Sequence, residues 1–324
     1  MSLDADTIVD RRRLRRKLTL WRVLAILAVV AAIGGIVMAS GGTGLVGESS
    51  PHVARVTIGG LIRNDRPRLE LFDKIAKSGA RAVILTIDSP GGTVAGAESL
   101  YAGIRRLAEK KPVVAVVEGV AASGAYVAAI GAERIFAPRN AIIGSIGVIF
   151  QYPNVYELLK YLGVSVEEIK SSPLKAAPSG YEPTSPEAKA AIRSLVEDSY
   201  GWFKTLVRDR RGLDEKTLTA AADGRVFTAN LALPLKLIDE IGDERSAREW
   251  LLKNKGVSID LPIRDWRTRG FGSEFRWLGA LAALAEALGM PTVAALVGSD
   301  AVANAAARAQ LDGLLALWHP LLAD

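Results

Sequence analysis

The chain has 324 residues, two histidines, no cysteine and a formal net charge of +6. Lack of cysteine excludes a disulfide framework and any thiolate metal site. His52 follows an apolar segment and His319 lies almost at the C-terminus, so a Ser-His-Asp triad and a Cys-His dyad both lack a base. A nucleophile in this chain points to lysine as its general base.

The positive charge is local. Within residues 1–22, Arg11, Arg12, Arg13, Arg15, Arg16, Lys17 and Arg22 outweigh Asp4, Asp6 and Asp10, giving +4 and leaving only +2 for the other 302 residues. No nucleic-acid surface is expected from that balance. The cluster runs into Val23–Gly47, which carries no charge. Its most apolar part, Val23 to Ala39, is just long enough to cross a bilayer, with Trp21 and Arg22 at the interface. By the positive-inside rule residues 1–22 form a cytoplasmic basic segment, 23–47 an anchor and linker, and everything after about Glu48 is exported. Cleavage as a signal peptide after Val37-Met38-Ala39 is the alternative; the length of the apolar run favours an uncleaved anchor.

From His52 onward, apolar β-branched runs alternate with helical periodicity. Val53–Ile62, Ala82–Ile87, Val113–Val117 and Arg134–Ala137 read as strands. Leu69–Lys77, Val94–Glu109, Tyr126–Ala132 and Asn154–Leu162 read as helices. Continuous apolar strands between helices predict an α/β domain with a largely parallel sheet. A long helix follows, with Ser185 as N-cap and Pro186 in its first turn, running to Arg211. After a turn at Asp223-Gly224-Arg225, two short helices complete a domain spanning 48–256. Residues 257–324 read as an apolar helical extension, with Trp277, Leu281, Leu284 and Leu288 on one face. It suits either a membrane surface or a contact with another subunit.

Three segments carry chemistry. Asp88-Ser89-Pro90-Gly91-Gly92-Thr93 lies between a strand and a helix, where paired glycines let backbone N–H groups approach an anionic oxygen. An ordinary tight turn would look the same. Gly119-Val120-Ala121-Ala122-Ser123-Gly124-Ala125-Tyr126 leaves the Ser123 hydroxyl uncovered at a helix start; the plainer reading makes Ser123 an N-cap. It is not a G-x-S-x-G elbow, which disfavours an α/β-hydrolase. Lys175 sits among small and apolar neighbours between Pro173 and Pro178. Burial there would favour the neutral amine that a base requires, whereas an ordinary loop lysine would be solvated.

D-S-P-G-G, A-A-S-G-x-Y, G-S-I-G-V and K-A-A-P, in this order, resemble the signal peptide peptidase SppA family, as do Asp223–Thr228 and Leu237–Gly242. The resemblance covers about His52 to Leu252 in the half-length form. It implies a ClpP/crotonase-like fold of repeated β-β-α units in a superhelix, preceded by one transmembrane helix. It also implies Ser123 as nucleophile, Lys175 as general base, Ser145 as the residue orienting the lysine, and Gly92 and Gly124 as oxyanion donors. No cofactor or metal is implied. Partners would be apolar signal-peptide substrates, the membrane and further copies of the chain in a ring or dome, an octamer among the expected sizes. Serine and lysine of one site would come from neighbouring protomers. The chain departs from the family pattern at Ala125 and Val127, where tyrosine or glycine is usual, and at Lys236, where glycine is usual. Two other classes stay open: a crotonase-type enzyme acting on acyl-CoA, and a non-catalytic membrane scaffold of the same fold.

Overall fold

The computed structural model describes residues 49–268, Trp21, and the backbone of 314–317. The apolar segment 23–47 and the helical face of 277–288 lie outside the described residues. Among the described residues no helix is long and apolar enough to cross a membrane.

Among the described residues ten strands join in one mixed sheet. Its parallel centre is built from β1 (His52–Ile62), β2 (Ala80–Thr93), β3 (Val113–Ala122) and β4 (Arg134–Ala137). Helix α1 (Arg66–Lys77) returns from β1 to β2, α2 (Val94–Ala108) from β2 to β3, and α3 (Gly124–Ala129) from β3 to β4. These crossovers place helices over one face of the sheet, and a C-terminal helix covers the other, so its central strands are buried on both faces. That explains the uninterrupted apolar runs. Ala54, Val56, Val83, Leu85, Val113 and Ala115 point into the larger core, while Val53, Ala82, Ile84, Val114 and Val116 point into a second core on the opposite face. The second core is closed by Ala247 and Leu251 of helix α8 (Glu244–Lys255).

Between β4 and α8 the elements are β5 (Ile142–Gly144), β6 (Ile149–Phe150), α4 (Tyr156–Tyr161), α5 (Pro186–Arg211), α6 (Glu215–Ala221), β7 (Val226–Thr228), α7 (Ala229–Ala232) and β8 (Glu240–Ile241). Helix α5 matches the expected helix at both ends: the Ser185 side chain accepts from the Ala188 N–H, and Gly212 closes it at φ 59°. Helix α1 begins earlier than its apolar period, because Asp65 caps it through the Arg68 N–H. After the turn at Asp223-Gly224-Arg225 two helices complete the domain as expected, and α6 lies between Arg211 and that turn.

Two findings differ from the expected layout at the C-terminal side. Strand β9 (Ile263–Asp265) adds to β1 in parallel, and Trp266 stacks on buried His52 and donates its indole N–H to the His52 Nε2 at 3.1 Å. Packing therefore continues past residue 256. Within the extension expected to be helical, Leu314–Leu317 is strand β10. It runs antiparallel to Gly91–Thr93 of β2 and to Ile149–Phe150 of β6. Both segments are too short for periodicity to distinguish them from irregular chain.

Helix α3 is tied to the segment after α7 by the Tyr126 hydroxyl, which is fully buried and donates to the Leu237 carbonyl at 2.8 Å. Burial pushes that phenol up from its ordinary value. Replacing Tyr126 by Phe leaves the carbonyl unpaired in the core, costing about 1–2 kcal/mol and lowering the melting temperature by about 2–6 °C, measurable by calorimetry.

Candidate active site

The parallel strands end together, and there the sheet forks. β2 pairs with β3 as far as Ser89 opposite Ala121. Beyond this point β3 turns to β5, pairing Ala122 with Gly144, while Gly91–Thr93 of β2 pair with β10. The carboxyl ends of β2 and β3 diverge here, the usual place for a ligand in an α/β sheet.

Ser123 stands at this fork, directly after β3 and directly before α3. Its backbone is left-handed, φ 55° and ψ −120°, a conformation a residue with a Cβ adopts at a cost of about 1–3 kcal/mol. Its N–H donates to the Gly144 carbonyl at 2.7 Å, and its carbonyl accepts from Tyr126 and Val127 at 2.9 and 3.1 Å. Its hydroxyl makes no capping hydrogen bond, so the N-cap explanation of this serine fails. The corner reproduces the logic of a nucleophile elbow without its glycine pattern.

Ser145 follows Gly144 as Ser123 follows the paired Ala122, so the two serines leave neighbouring strands at the same level. Ser145 is also left-handed, at φ 49°, and its N–H is held by the Arg225 carbonyl at 2.8 Å. Gly224, at φ 90°, makes the turn that brings this carbonyl in. Gly124 opens α3 next to Ser123. Gly92 lies on the other side of the fork, where a Cβ would fall 1.8 Å from the Ile62 carbonyl oxygen. Glycine is there because β1 leaves no room for any side chain.

The structure thus brings Ser123, Ser145, Gly92 and Gly124 to one edge. Lys175 is elsewhere in the protomer's architecture, on the arm between β6 and α5. It is exposed, and among the described residues its amine has no hydrogen bond to Ser123 or Ser145 and no ion pair. The local turn is firm: the Lys175 N–H donates to the Ser172 carbonyl at 3.0 Å, and Ala176 is left-handed at φ 59°. Its neighbour Lys170 is paired, at 2.6 Å to Glu168 and 2.7 Å to Glu182. Those bonds hold Lys170 above its ordinary range, and Lys170 holds Glu168 below the usual carboxylate range. The apolar burial anticipated for Lys175 is absent within one protomer.

His52 is no alternative base. It begins β1, ten residues before the Ile62 that packs on Gly92, hence roughly 30 Å from the fork at strand rise. His319 lies outside the described residues. Two residues of the edge were not singled out individually by the sequence. The Asp88 carboxylate accepts from the Val120 N–H at 3.0 Å, and the Ser89 hydroxyl donates to the Gly60 carbonyl at 2.7 Å. Their motif was visible, but side chains that replace ladder hydrogen bonds leave no periodic mark.

A serine on a left-handed strand-to-helix corner, next to the Gly124 N–H and far from His52, suits the nucleophile of a serine protease. Peptidase family S49 matches residues 105–258. A Synechocystis sp. protein whose protease assignment is provisional is 36% identical over 210 residues, covering 64% of this chain and 76% of that protein. An Enterococcus faecium protein, provisionally named signal peptide peptidase SppA, is 29% identical over 250 residues, 72% of each chain. Among solved structures, a ClpP1 variant from Listeria monocytogenes has a TM-score of 0.39 at 18% identity, covering 59% of this chain and 92% of that one. The chain belongs to peptidase family S49.

The left-handed corner makes a prediction independent of turnover. Ser123→Gly and Ser123→Ala both remove the hydroxyl, but only alanine keeps a Cβ at positive φ. The glycine variant is expected to be the more stable by about 1 kcal/mol in denaturant unfolding, with both inactive. Gly92→Ala, in contrast, forces β1 and β2 apart, and peptidase activity should fall by about two to three orders of magnitude.

Proposed function

We propose that the protein is a membrane-anchored endopeptidase that uses Ser123 and Lys175 to degrade remnant signal peptides after their release from preproteins. The observation that carries this reading is the uncapped Ser123 hydroxyl on a strained corner beside Gly92 and Gly124. In the reaction, neutral Lys175 takes the Ser123 proton as Oγ attacks the scissile carbonyl carbon. The N–H groups of Gly92 and Gly124 hold the resulting oxyanion. Collapse breaks the C–N bond, and the leaving amine receives the proton from the lysine ammonium. A water then gives a proton to Lys175 and adds to the acyl ester, and Ser123 regains its proton as the product acid leaves. Ser145, level with Ser123, orients the lysine amine.

Lys175 reaches a nucleophile by crossing to a neighbouring protomer. The arm that bears it supports this: Leu158, Tyr161, Leu162, Val164, Val166, Ile169 and Leu174 are all exposed, and α4 buries none of its side chains. Such a continuous apolar face marks a surface made for a partner, here a second copy of the chain. Seated there, the amine would leave water and favour its neutral form. A ring or dome of repeated β-β-α superhelices closes a chamber in this way, an octamer being one size that would do so. Peptide would lie in the fork as an extended strand, as β10 does against Gly91–Thr93. The apolar cores of signal peptides and the provisional name of the Enterococcus faecium relative agree with that substrate class.

Complementation tests the shared site. Ser123→Ala and Lys175→Ala are each expected to be inactive on an apolar fluorogenic peptide. Mixed and allowed to exchange subunits, they should recover about a quarter of wild-type activity, because that share of sites pairs an intact serine with an intact lysine. Full activity in Lys175→Ala would dismiss the dyad. Fractionation tests the anchor of residues 23–47 and the inner bacterial membrane as its location. The chain should stay in carbonate-washed membranes, and protease added outside opened cells should digest the domain beyond residue 48.

A further inference from the structure

We propose that Ser89 is a positioning residue for the oxyanion edge, setting the Pro90-Gly91 peptide that leads into Gly92 through two hydrogen bonds of its own hydroxyl. This inference rests on the serine-protease reading of the fork. Ser89 is fully buried, and its role is not the packing of an apolar core. Its Oγ donates to the Gly60 carbonyl at 2.7 Å and accepts from the Gly91 N–H at 3.1 Å.

The ladders show why a side chain is needed here. The β1–β2 register slips between Gly59 and Leu61, where Gly59 faces Asp88 but Leu61 faces Gly91. Gly60, left-handed at φ 63°, alone opposes Ser89 and Pro90, so the extra residue lies in β2, and the Ser89 hydroxyl supplies the Gly60 carbonyl with a donor. On the other side, the β2–β3 register slips between Ile87 and Ser89, and there the Asp88 carboxylate takes the Val120 N–H. Both backbone ladders thus falter just before the two glycines. Gly91 sits at φ 105°, and neither glycine has a side chain to anchor it. Ser89 joins the Gly60 carbonyl of β1 to the amide of Gly91. It therefore holds the Pro90-Gly91 peptide, from which the chain passes directly to the Gly92 N–H, and donors that must meet a developing oxyanion tolerate little displacement.

The test compares Ser89→Ala with Ser78→Ala. Ser78 makes the same two kinds of bond, donating to the Ile75 carbonyl and accepting from the Ala80 N–H, at the far end of β2. Ser89→Ala should lower kcat by about 10- to 100-fold with KM within about twofold of wild type. Affinity for a peptide aldehyde, which adds the Ser123 hydroxyl across its carbonyl and presents a tetrahedral oxygen, should fall by the same factor. Ser78→Ala should change melting temperature only. The nearly isosteric Ser89→Thr and Ser89→Val, which differ in the hydroxyl, give the same contrast if the alanine variant does not fold. Wild-type kcat in Ser89→Ala, equal loss in the threonine and valine variants, or unchanged aldehyde affinity would overturn the inference. Ser123→Ala run in parallel separates the two levels: if it remains active the protease reading fails, whereas if it is dead while Ser89→Ala is normal only the role of Ser89 fails.

Discussion

The hydrogen bond from the Ser123 N–H to the Gly144 carbonyl, at 2.7 Å, is the last rung joining β3 to β5, and the site is arranged around it. It holds a non-glycine residue in the left-handed region, turning the chain from strand to helix without letting the serine cap that helix. It also fixes Gly144, so that Ser145 departs level with Ser123. Remove this rung and the corner can relax toward ordinary backbone, which would swing the hydroxyl toward the free amides of α3. Strain of this kind persists only when its surroundings over-determine it. Here the fully buried α3 and the paired strand on its flank do so.

The cores explain why such a corner can be held. Two apolar layers clasp the strands from both faces, and the carboxyl ends of β2 and β3 come apart only after Ser89 and Ala121. Rigidity below the fork and divergence at the fork are consequences of one topology. Asp88 and Ser89 stand at the boundary, each replacing a missing ladder bond with a side chain. The polar groups nearest the chemistry are in this sense extensions of the sheet.

Much of this was legible in the sequence. Continuous Val/Ile/Ala runs gave away strands buried on both faces, β4 and α5 to the residue, because burial and capping act locally. Ser123 and the glycines at 91, 92 and 124 stood out as small residues in turns, whereas Ser145 entered only through the family resemblance; Ser123 and Ser145 leave the paired ends of β3 and β5 at one level. What stayed hidden depends on long-range pairing. Two- to four-residue strands such as β6, β8, β9 and β10 are defined by partners far along the chain and carry no period of their own. The setting of Lys175 was misjudged for a related reason. Apolar neighbours in sequence do not make apolar surroundings in space, and on this arm those neighbours face outward with the lysine.

The pairing of β10 with Gly91–Thr93 bears on selectivity. An edge that grips through main-chain amides reads posture before it reads identity, because every residue but proline offers the same N–H and C=O. The toll for entry is a stretch of chain free to straighten. A folded domain keeps its strands already paired and so has nothing to offer, whatever its sequence. If substrate takes that edge in place of β10, intact proteins are spared without a recognition motif, from the plain fact that they are folded.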